Sequence, residues 1–274
     1  MTKFRLEFLE LPLWPGRAHP AMRIYMRAAE QSRTRPAMLV FRGGGYSRCD
    51  GSGDGSAAWA ASHGMVGIEV EYGTRATCES HPAAYADAAR AVRLVRHRAG
   101  EWGIDPGRIG ILGYSAGGHL ASLLSTQPTL WAAPDDDLAP RLSARPDLLV
   151  LGYPLISFIE QYRPGAFLGS VENFFGKLDV GEALRRQFSS ELFVQPGHPP
   201  VFLWTTADDA IVPAAHAERF AEACRRANVP IEFTLFPHGP HAMGLALDQP
   251  GGVGQWTTHL LTWLAQQWGH KPDT

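Results

Sequence analysis

The stretch Ile109-Gly-Ile-Leu-Gly-Tyr-Ser115-Ala-Gly-Gly-His-Leu-Ala-Ser122 constrains this 274-residue chain more than any other. An apolar β-type run, Ile109 to Leu112, meets Gly113-Tyr-Ser-Ala-Gly117, and a helix-forming run follows. Gly-x-Ser-x-Gly between a strand and a helix is the pattern of a nucleophile elbow. Such a serine sits on a strained, tight turn, so a Cβ at Gly113 or Gly117 is expected to collide with the neighbouring strand or helix. The Ser115 hydroxyl then stands above the sheet edge at a helix N-terminus. That helix end and the Ala116 N–H favour a developing negative charge there. The plainer alternative is a strand–turn–helix link that happens to contain serine. The pentapeptide alone is common, but strand before and helix after is the context that the motif requires.

Elsewhere strands and helices alternate. Phe4 to Leu13 reads as an edge strand and Arg23 to Met26 as a second. Ala37 to Phe41 reads as a buried strand, Met65 to Tyr72 as the next, then Leu148 to Leu151, Val201 to Trp204 and Ile231 to Phe236. Between them, helices are expected from Asp54 to His63, with Asp54 or Ser56 near the N-cap, and from Pro82, with Tyr85, Ala89, Val92, Val95 and Ala99 on one face to an end near Trp102. Two more are expected, from Pro213 to Ala227 and from Val253 to Trp268. Asp105-Pro-Gly-Arg108 reads as the turn into the elbow strand, and Pro128 to Pro146 as a surface stretch. The alternation implies an α/β fold, a mostly parallel sheet with helices on both faces. Residues 152–199 are an irregular excursion rich in aromatics: Phe158, Tyr162, Phe167, Phe174, Phe175 and Phe193. It suits a lid or substrate wall, or a peripheral excursion whose aromatics pack on the core.

A serine hydroxyl is almost wholly protonated near neutrality, so it needs a base, and the base needs a third group to fix its tautomer. In a fold of this kind the acid and base come from later strand ends, in the order Ser, Asp/Glu, His. Asp208-Asp209 and His238-Gly-Pro-His241 stand at those ends, and residue chemistry alone does not choose within either pair. Upstream, Arg42-Gly-Gly-Gly-Tyr46 follows a strand, and its glycines let backbone N–H groups of Gly44 and Gly45 face a ligand. His119 is read as a helix residue packing near the turn, and Cys49, close to the glycine loop, as an inert thiol.

Composition excludes several classes. The net charge is −2 without long runs of one sign, which argues against a nucleic-acid partner. Asp135-Asp136-Asp137 reads as a solvated loop. Three scattered cysteines, Cys49, Cys78 and Cys224, suggest neither a disulfide framework nor a zinc site. No apolar run approaches a membrane span, and the N-terminal residues lack an apolar signal region, so a cytoplasmic protein is expected. With 45% hydrophobic residues, residues 1–274 are expected to form a single domain around one large core.

These motifs together resemble the bacterial acetylesterase and acetylxylan-esterase-like α/β-hydrolases, related to the hormone-sensitive-lipase-like esterases. The likeness spans Leu13-Trp-Pro-Gly16, Arg42-Gly-Gly-Gly-Tyr46, Asp105-Pro-x-Arg-Ile109, Gly113-Tyr-Ser-Ala-Gly-Gly-His-Leu120, Ser190-Glu-Leu-x-Val194, Ala207-Asp-Asp-x-x-Val-Pro213 and His238-Gly-x-His241. It implies an α/β-hydrolase fold of about eight strands. It also implies that the acid is the one three residues before Val-Pro and that the base is the histidine after Gly-x, which selects Asp209 and His241. Ser115 would be the nucleophile, and the N–H groups of Gly44, Gly45 and Ala116 the oxyanion hole. The expected activity is hydrolysis of short acyl esters, acetyl esters of carbohydrates among them, without metal or organic cofactor. A small-molecule ester is the expected partner, with neither nucleic acid nor membrane, and the apolar last helix could serve a homo-oligomer. Arg42 departs from the Pro or His usual before the glycines; it is expected to pair with a surface carboxylate rather than draw acidic substrates. The rivals are an arylformamidase-type amidase on the same fold and a non-catalytic ligand-binding relative.

Overall fold

The computed structural model describes residues 6–27, 34–77, 79, 81–159, 166–177, 179–249 and 252–269. Phe4, Cys78, Tyr162, Leu178 and His270, and the side chain of Phe167, lie outside the described residues.

Eight strands form one sheet: β1 (Leu6–Pro12), β2 (Ala21–Arg27), β3 (Arg35–Phe41), β4 (Val66–Val70), β5 (Ile104–Tyr114), β6 (Leu148–Gly152), β7 (Val201–Thr206) and β8 (Ile231–Phe236). Their order is β1-β2-β4-β3-β5-β6-β7-β8. β1–β2 and β2–β4 pair antiparallel, and the remaining neighbours are parallel. The helices are α1 (Ser56–Ser62), α2 (Ala83–His97), α3 (Ala116–Thr126), α4 (Ala166–Phe175), α5 (Glu182–Gln187), α6 (Ala215–Arg226) and α7 (Trp256–Trp268). The mostly parallel sheet read from the alternation is therefore the observed architecture.

Period-two alternation in the buried strands sends side chains to two separate cores. In β3, Leu39 and Phe41 join the cluster under α2, α3 and α6. Met38 and Val40 face the other side, with α1 and with Trp256, Leu260 and Leu264 of α7. Tyr85, Ala89, Val92, Val95 and Ala99 all lie in the first cluster, the face expected of α2.

Three local expectations need correction. β5 already begins at Ile104, and Asp105 to Arg108 form an irregularity within it, because Arg35 pairs with Ile104 before the register shifts to Ala37 and Ile109. Neither Asp54 nor Ser56 caps α1; Gly55, at φ 73°, occupies that position. α2 ends at His97, short of Trp102.

The Asp135-Asp136-Asp137 run is not a solvated loop throughout. Asp136 is buried, with Arg90 Nη1 at 2.7 Å on one oxygen and Arg93 Nη1 at 2.6 Å on the other. α2 thus presents buried arginines as well as an apolar face, and the 128–146 stretch is tied down over them. Two cations facing one side of a helix need a carboxylate there, and a loop rich in aspartate supplies it.

The chain runs from β3 to β4 on one side and then returns to place β5 on the other. The sheet order therefore reverses between β3 and β5, and the crevice outside the carboxyl ends of those strands is where ligands bind in open α/β sheets. The glycine loop leaves β3 there, and Ser115 follows β5.

Candidate active site

Ser115 occupies φ 52°, ψ −120°, the strained conformation that the elbow requires. Its backbone is pinned from both sides: the N–H donates to Gly152 O at 3.2 Å, and the carbonyl accepts from His119 and Leu155, each at 3.1 Å. The flanking glycines are sterically obligatory. A Cβ at Gly113 would meet Gly117 O at 2.6 Å and Ala121 Cβ at 2.8 Å, and one at Gly117 would run into the carbonyl oxygens of Phe41 and Arg42.

β7 and β8 deliver the other two groups. His241 Nε2 lies 2.8 Å from Ser115 Oγ, and His241 Nδ1 lies 2.7 Å from Asp209 Oδ2. The Asp209 side chain is fully buried, and its Oδ1 accepts the N–H groups of Ile211 and Val212, both at 2.9 Å. Those two donors hold the carboxylate in one orientation, which leaves Oδ2 for the imidazole. A carboxylate only accepts, so Nδ1 carries the ring proton and Nε2 is free to accept from the Ser115 hydroxyl.

The neighbouring pair forms a separate contact. His238 Nδ1 lies 3.0 Å from Asp208 Oδ2, both side chains being largely exposed. Asp208 Oδ1 accepts Gly239 N–H at 2.9 Å, and Thr206 Oγ1 donates to Gly239 O at 2.8 Å, so this pair braces the turn that carries His241. Tyr153 packs its ring against His241 at 4.9 Å and accepts Gly244 N–H at 2.8 Å, steadying the same turn.

In the glycine loop the carbonyls are all engaged on the protein side. Gly43 O accepts from Gly51, Gly44 O from Ser47 and Gly45 O from the Asn173 amide at 2.9 Å. In a trans peptide the following N–H points opposite to its carbonyl, so these anchors also aim the N–H groups of Gly44 and Gly45. Gly44 and Gly45 stand at φ 145° and 60°, where side chains are disfavoured. Ala116 is the first residue of α3, and its N–H has no intrahelical acceptor.

Gly44, Gly45, Ser115 and His241 line a cavity of about 230 Å³. Leu155, Ile211 and Val212 form its apolar wall, and Arg48, Gly51, Ser52, Ser170 and Ala242 complete the lining. Ile211 and Val212 lie within the Ala207–Pro213 motif, so a signal for them existed. Ser52, Leu155 and Ser170 had none, since periodicity does not say which excursion residue returns to the site. The 152–199 excursion is not irregular throughout, since α4 and α5 lie within it, and its residues divide between core and cavity. Phe158, Phe174 and Phe188 are buried against the core, whereas Leu155 and Ser170 reach the cavity.

Arg42 is drawn away from the cavity. It bonds the buried Glu69 of β4 at 3.0 Å and Asp50 O at 2.7 Å, and its Nη2 lies 3.7 Å from the exposed Asp54 carboxylate, so the expected surface partner exists beside a buried one. His119 is buried, and burial pushes its pKa down to about 3. His216 Nδ1 accepts the N–H groups of Ile156 and Ser157 at 3.3 and 3.2 Å, which requires the neutral ring, and burial lowers its pKa to about 4. The Cys49 thiol is pushed up by burial, away from thiolate chemistry. Among the described residues no cluster of three or more His, Cys, Asp or Glu could hold a metal, and no helix is long and apolar enough to cross a membrane.

The chain is similar to several known proteins. Endo-1,4-beta-xylanase B of Butyrivibrio fibrisolvens is 33% identical over 218 residues, which is 78% of this chain and 33% of that protein. Acetylxylan esterase of Xylanibacter ruminicola is 31% identical over 214 residues, 76% of this chain and 41% of that protein. The chain thus spans well under half the length of these two curated relatives. A crystal structure of an acetyl ester-xyloside bifunctional hydrolase from Caldicellulosiruptor lactoaceticus superposes with a TM-score of 0.84 at 35% identity, covering 94% of this chain and 96% of that one. The BD-FAE family model matches residues 22–224. With an eight-stranded sheet of this order and a serine at the β5–α3 turn, the chain belongs to the BD-FAE family and has the α/β-hydrolase fold.

Proposed function

We propose that this chain is a serine carboxylic-ester hydrolase that cleaves short acyl esters, acetyl esters of carbohydrates in particular, through an acyl-enzyme. The observation that carries the reading is the unbroken row Ser115–His241–Asp209, with contacts of 2.8 and 2.7 Å at the mouth of a small cavity.

Ser115 Oγ attacks the acyl carbonyl as His241 Nε2 takes its proton. Asp209 holds the Nδ1 proton and stabilises the imidazolium. The carbonyl oxygen becomes an oxyanion facing the N–H groups of Gly44, Gly45 and Ala116, at the positive end of α3. Collapse breaks the bond to the alcohol, which leaves with the proton from His241. Water then repeats the sequence on the acyl-serine and releases the acid. A cavity of about 230 Å³ walled by Leu155, Ile211 and Val212 suits a short acyl group. The names of the xylan-active relatives support a sugar as the alcohol.

Hydrolysis of p-nitrophenyl acetate, butyrate and octanoate and of peracetylated xylobiose, by the wild type and Ser115→Ala, tests this. Serine-dependent acetyl release from the sugar is the expected result. Aryl-ester cleavage without sugar turnover would remove the carbohydrate part, and activity retained in Ser115→Ala would overturn the assignment of the nucleophile. Silence on all esters, with turnover of N-formylkynurenine, would replace the esterase by a formamidase.

A further inference from the structure

Three N–H groups hold the oxyanion in the reading above, and they belong to two elements. Gly44 and Gly45 lie on the loop after β3, and Ala116 opens α3. The β3–β5 ladder ends at Phe41 and Gly113, so it does not reach as far as either group. The loop's carbonyl anchors fasten it to itself and to Asn173 of α4. Among the described residues, the side-chain hydrogen bond between this loop and α3 is that of Tyr46 and His119, at 2.7 Å from Oη to Nδ1.

The direction of that bond follows from its far end. His119 Nε2 lies 2.7 Å from Phe188 O, a carbonyl that can only accept. Nε2 therefore carries the proton, Nδ1 accepts, and the Tyr46 hydroxyl donates. Neither ring has room to drift. Both residues are essentially buried, and His119 packs at 4.3 Å from the Phe158 ring while Tyr46 packs at 4.8 Å from the Phe174 ring. Tyr46 also holds φ 58°, a left-handed conformation that a bulky residue adopts only when its surroundings enforce it. His119 sits one turn after Ser115, and its N–H bonds Ser115 O.

We propose that His119 is a positioning residue. Its imidazole is a strut between the Tyr46 hydroxyl and the Phe188 carbonyl that sets the glycine loop against the start of α3 and so aligns the N–H groups of Gly44 and Gly45 with that of Ala116. This rests on the oxyanion reading of those three groups. A strut of this kind acts chiefly on the transition state, because the ground-state ester carbonyl makes weaker use of the donors.

The test uses the full chain with Tyr46→Phe, His119→Gln, His119→Asn and the double variant Y46F/H119Q. Each is assayed for kcat and KM on p-nitrophenyl acetate, inhibition by a phenylboronic acid, and Tm. Tyr46→Phe keeps the ring and removes only the donor. Glutamine places an amide at the Nε2 position and loses the acceptor for Tyr46, whereas asparagine places an oxygen at the Nδ1 position and keeps it. Tyr46→Phe and His119→Gln are expected to lower kcat on the order of tenfold, with KM within about twofold and boronate affinity weakened in parallel. The double variant should be no worse than the worse single, and His119→Asn, which keeps the acceptor for Tyr46 but gives up the donor to Phe188 O, should also lower kcat. Wild-type kcat and boronate affinity in Tyr46→Phe would overturn the strut, even if the histidine variants fail to fold. Additive losses of kcat in the double variant, where both substitutions remove the same bond, would also overturn it. Activity surviving Ser115→Ala would instead overturn the reading on which it rests.

Discussion

Asp208 and Asp209 are adjacent in the chain, yet each holds a different histidine: Asp208 bonds His238 at 3.0 Å in solvent, and Asp209 bonds His241 at 2.7 Å in a buried setting. Both follow the end of β7, in the turn where the chain leaves the sheet; Asp208 lies at the surface and Asp209 is buried behind the His241 ring. Asp209→Asn should lower kcat on the order of 10³-fold or more, since the amide favours the wrong imidazole tautomer. Asp208→Asn, which leaves that row intact, should stay within about threefold. Steady-state kinetics of the two variants checks this, and equal losses would leave the acid unassigned.

The elbow glycines predict a steric asymmetry. Gly117→Ala drives a methyl into the Phe41 and Arg42 carbonyls and should destabilise the fold by at least about 1–3 kcal/mol. Gly169→Ala, in α4 with no atom within 4 Å of the new Cβ, should be neutral or stabilising by up to about 1 kcal/mol. Urea titration of the two variants distinguishes them.

Asp136 lies between Arg90 and Arg93 with its side chain 1% exposed. Asp136→Asn leaves two buried cations short of their counter-charge and should cost about 3–5 kcal/mol. Asp137 also touches Arg90, at 2.5 Å, but its side chain is 65% exposed and solvent screens the pair, so Asp137→Asn should cost far less than Asp136→Asn. Unfolding midpoints measure both, and comparable losses would mean that Asp136 is not the anchor of the 128–146 stretch.

Asp87 provides a pH signature. Burial raises its carboxyl pKa to about 6, despite the hydrogen bonds from Trp14 Nε1 at 2.6 Å and Gly73 N–H at 2.8 Å. The folded state therefore binds the proton more tightly than the unfolded chain, so the stabilisation is complete below the ordinary aspartate value and is lost as pH rises through about 6. The stability of wild type relative to Asp87→Asn should fall by on the order of 2 kcal/mol between pH 4.5 and 7.5. Denaturant unfolding at the two pH values tests it, and a constant difference would refute it.

Much of this molecule is legible in one dimension because its constraints are local. Apolar runs of strand length fixed the parallel strands from β3 to β8. The Gly113-Tyr-Ser-Ala-Gly117 pattern located Ser115, since only glycine tolerates the close approach of Phe41 and Ala121. Other features depended on contacts between distant segments. Residue chemistry alone left Asp208 and Asp209 undivided, as it did His238 and His241, and resemblance made the choice. The hydrogen bonds, formed where β7 and β8 end beside the elbow, show which pair meets Ser115. Asp136 read as solvated because its partners Arg90 and Arg93 are more than 40 residues away in sequence. Ser170 and Leu155 entered the cavity wall without any local signal. Short-range sterics and periodicity are written in the sequence itself, whereas burial and pairing of polar groups exist only once the sheet has brought its strand ends together.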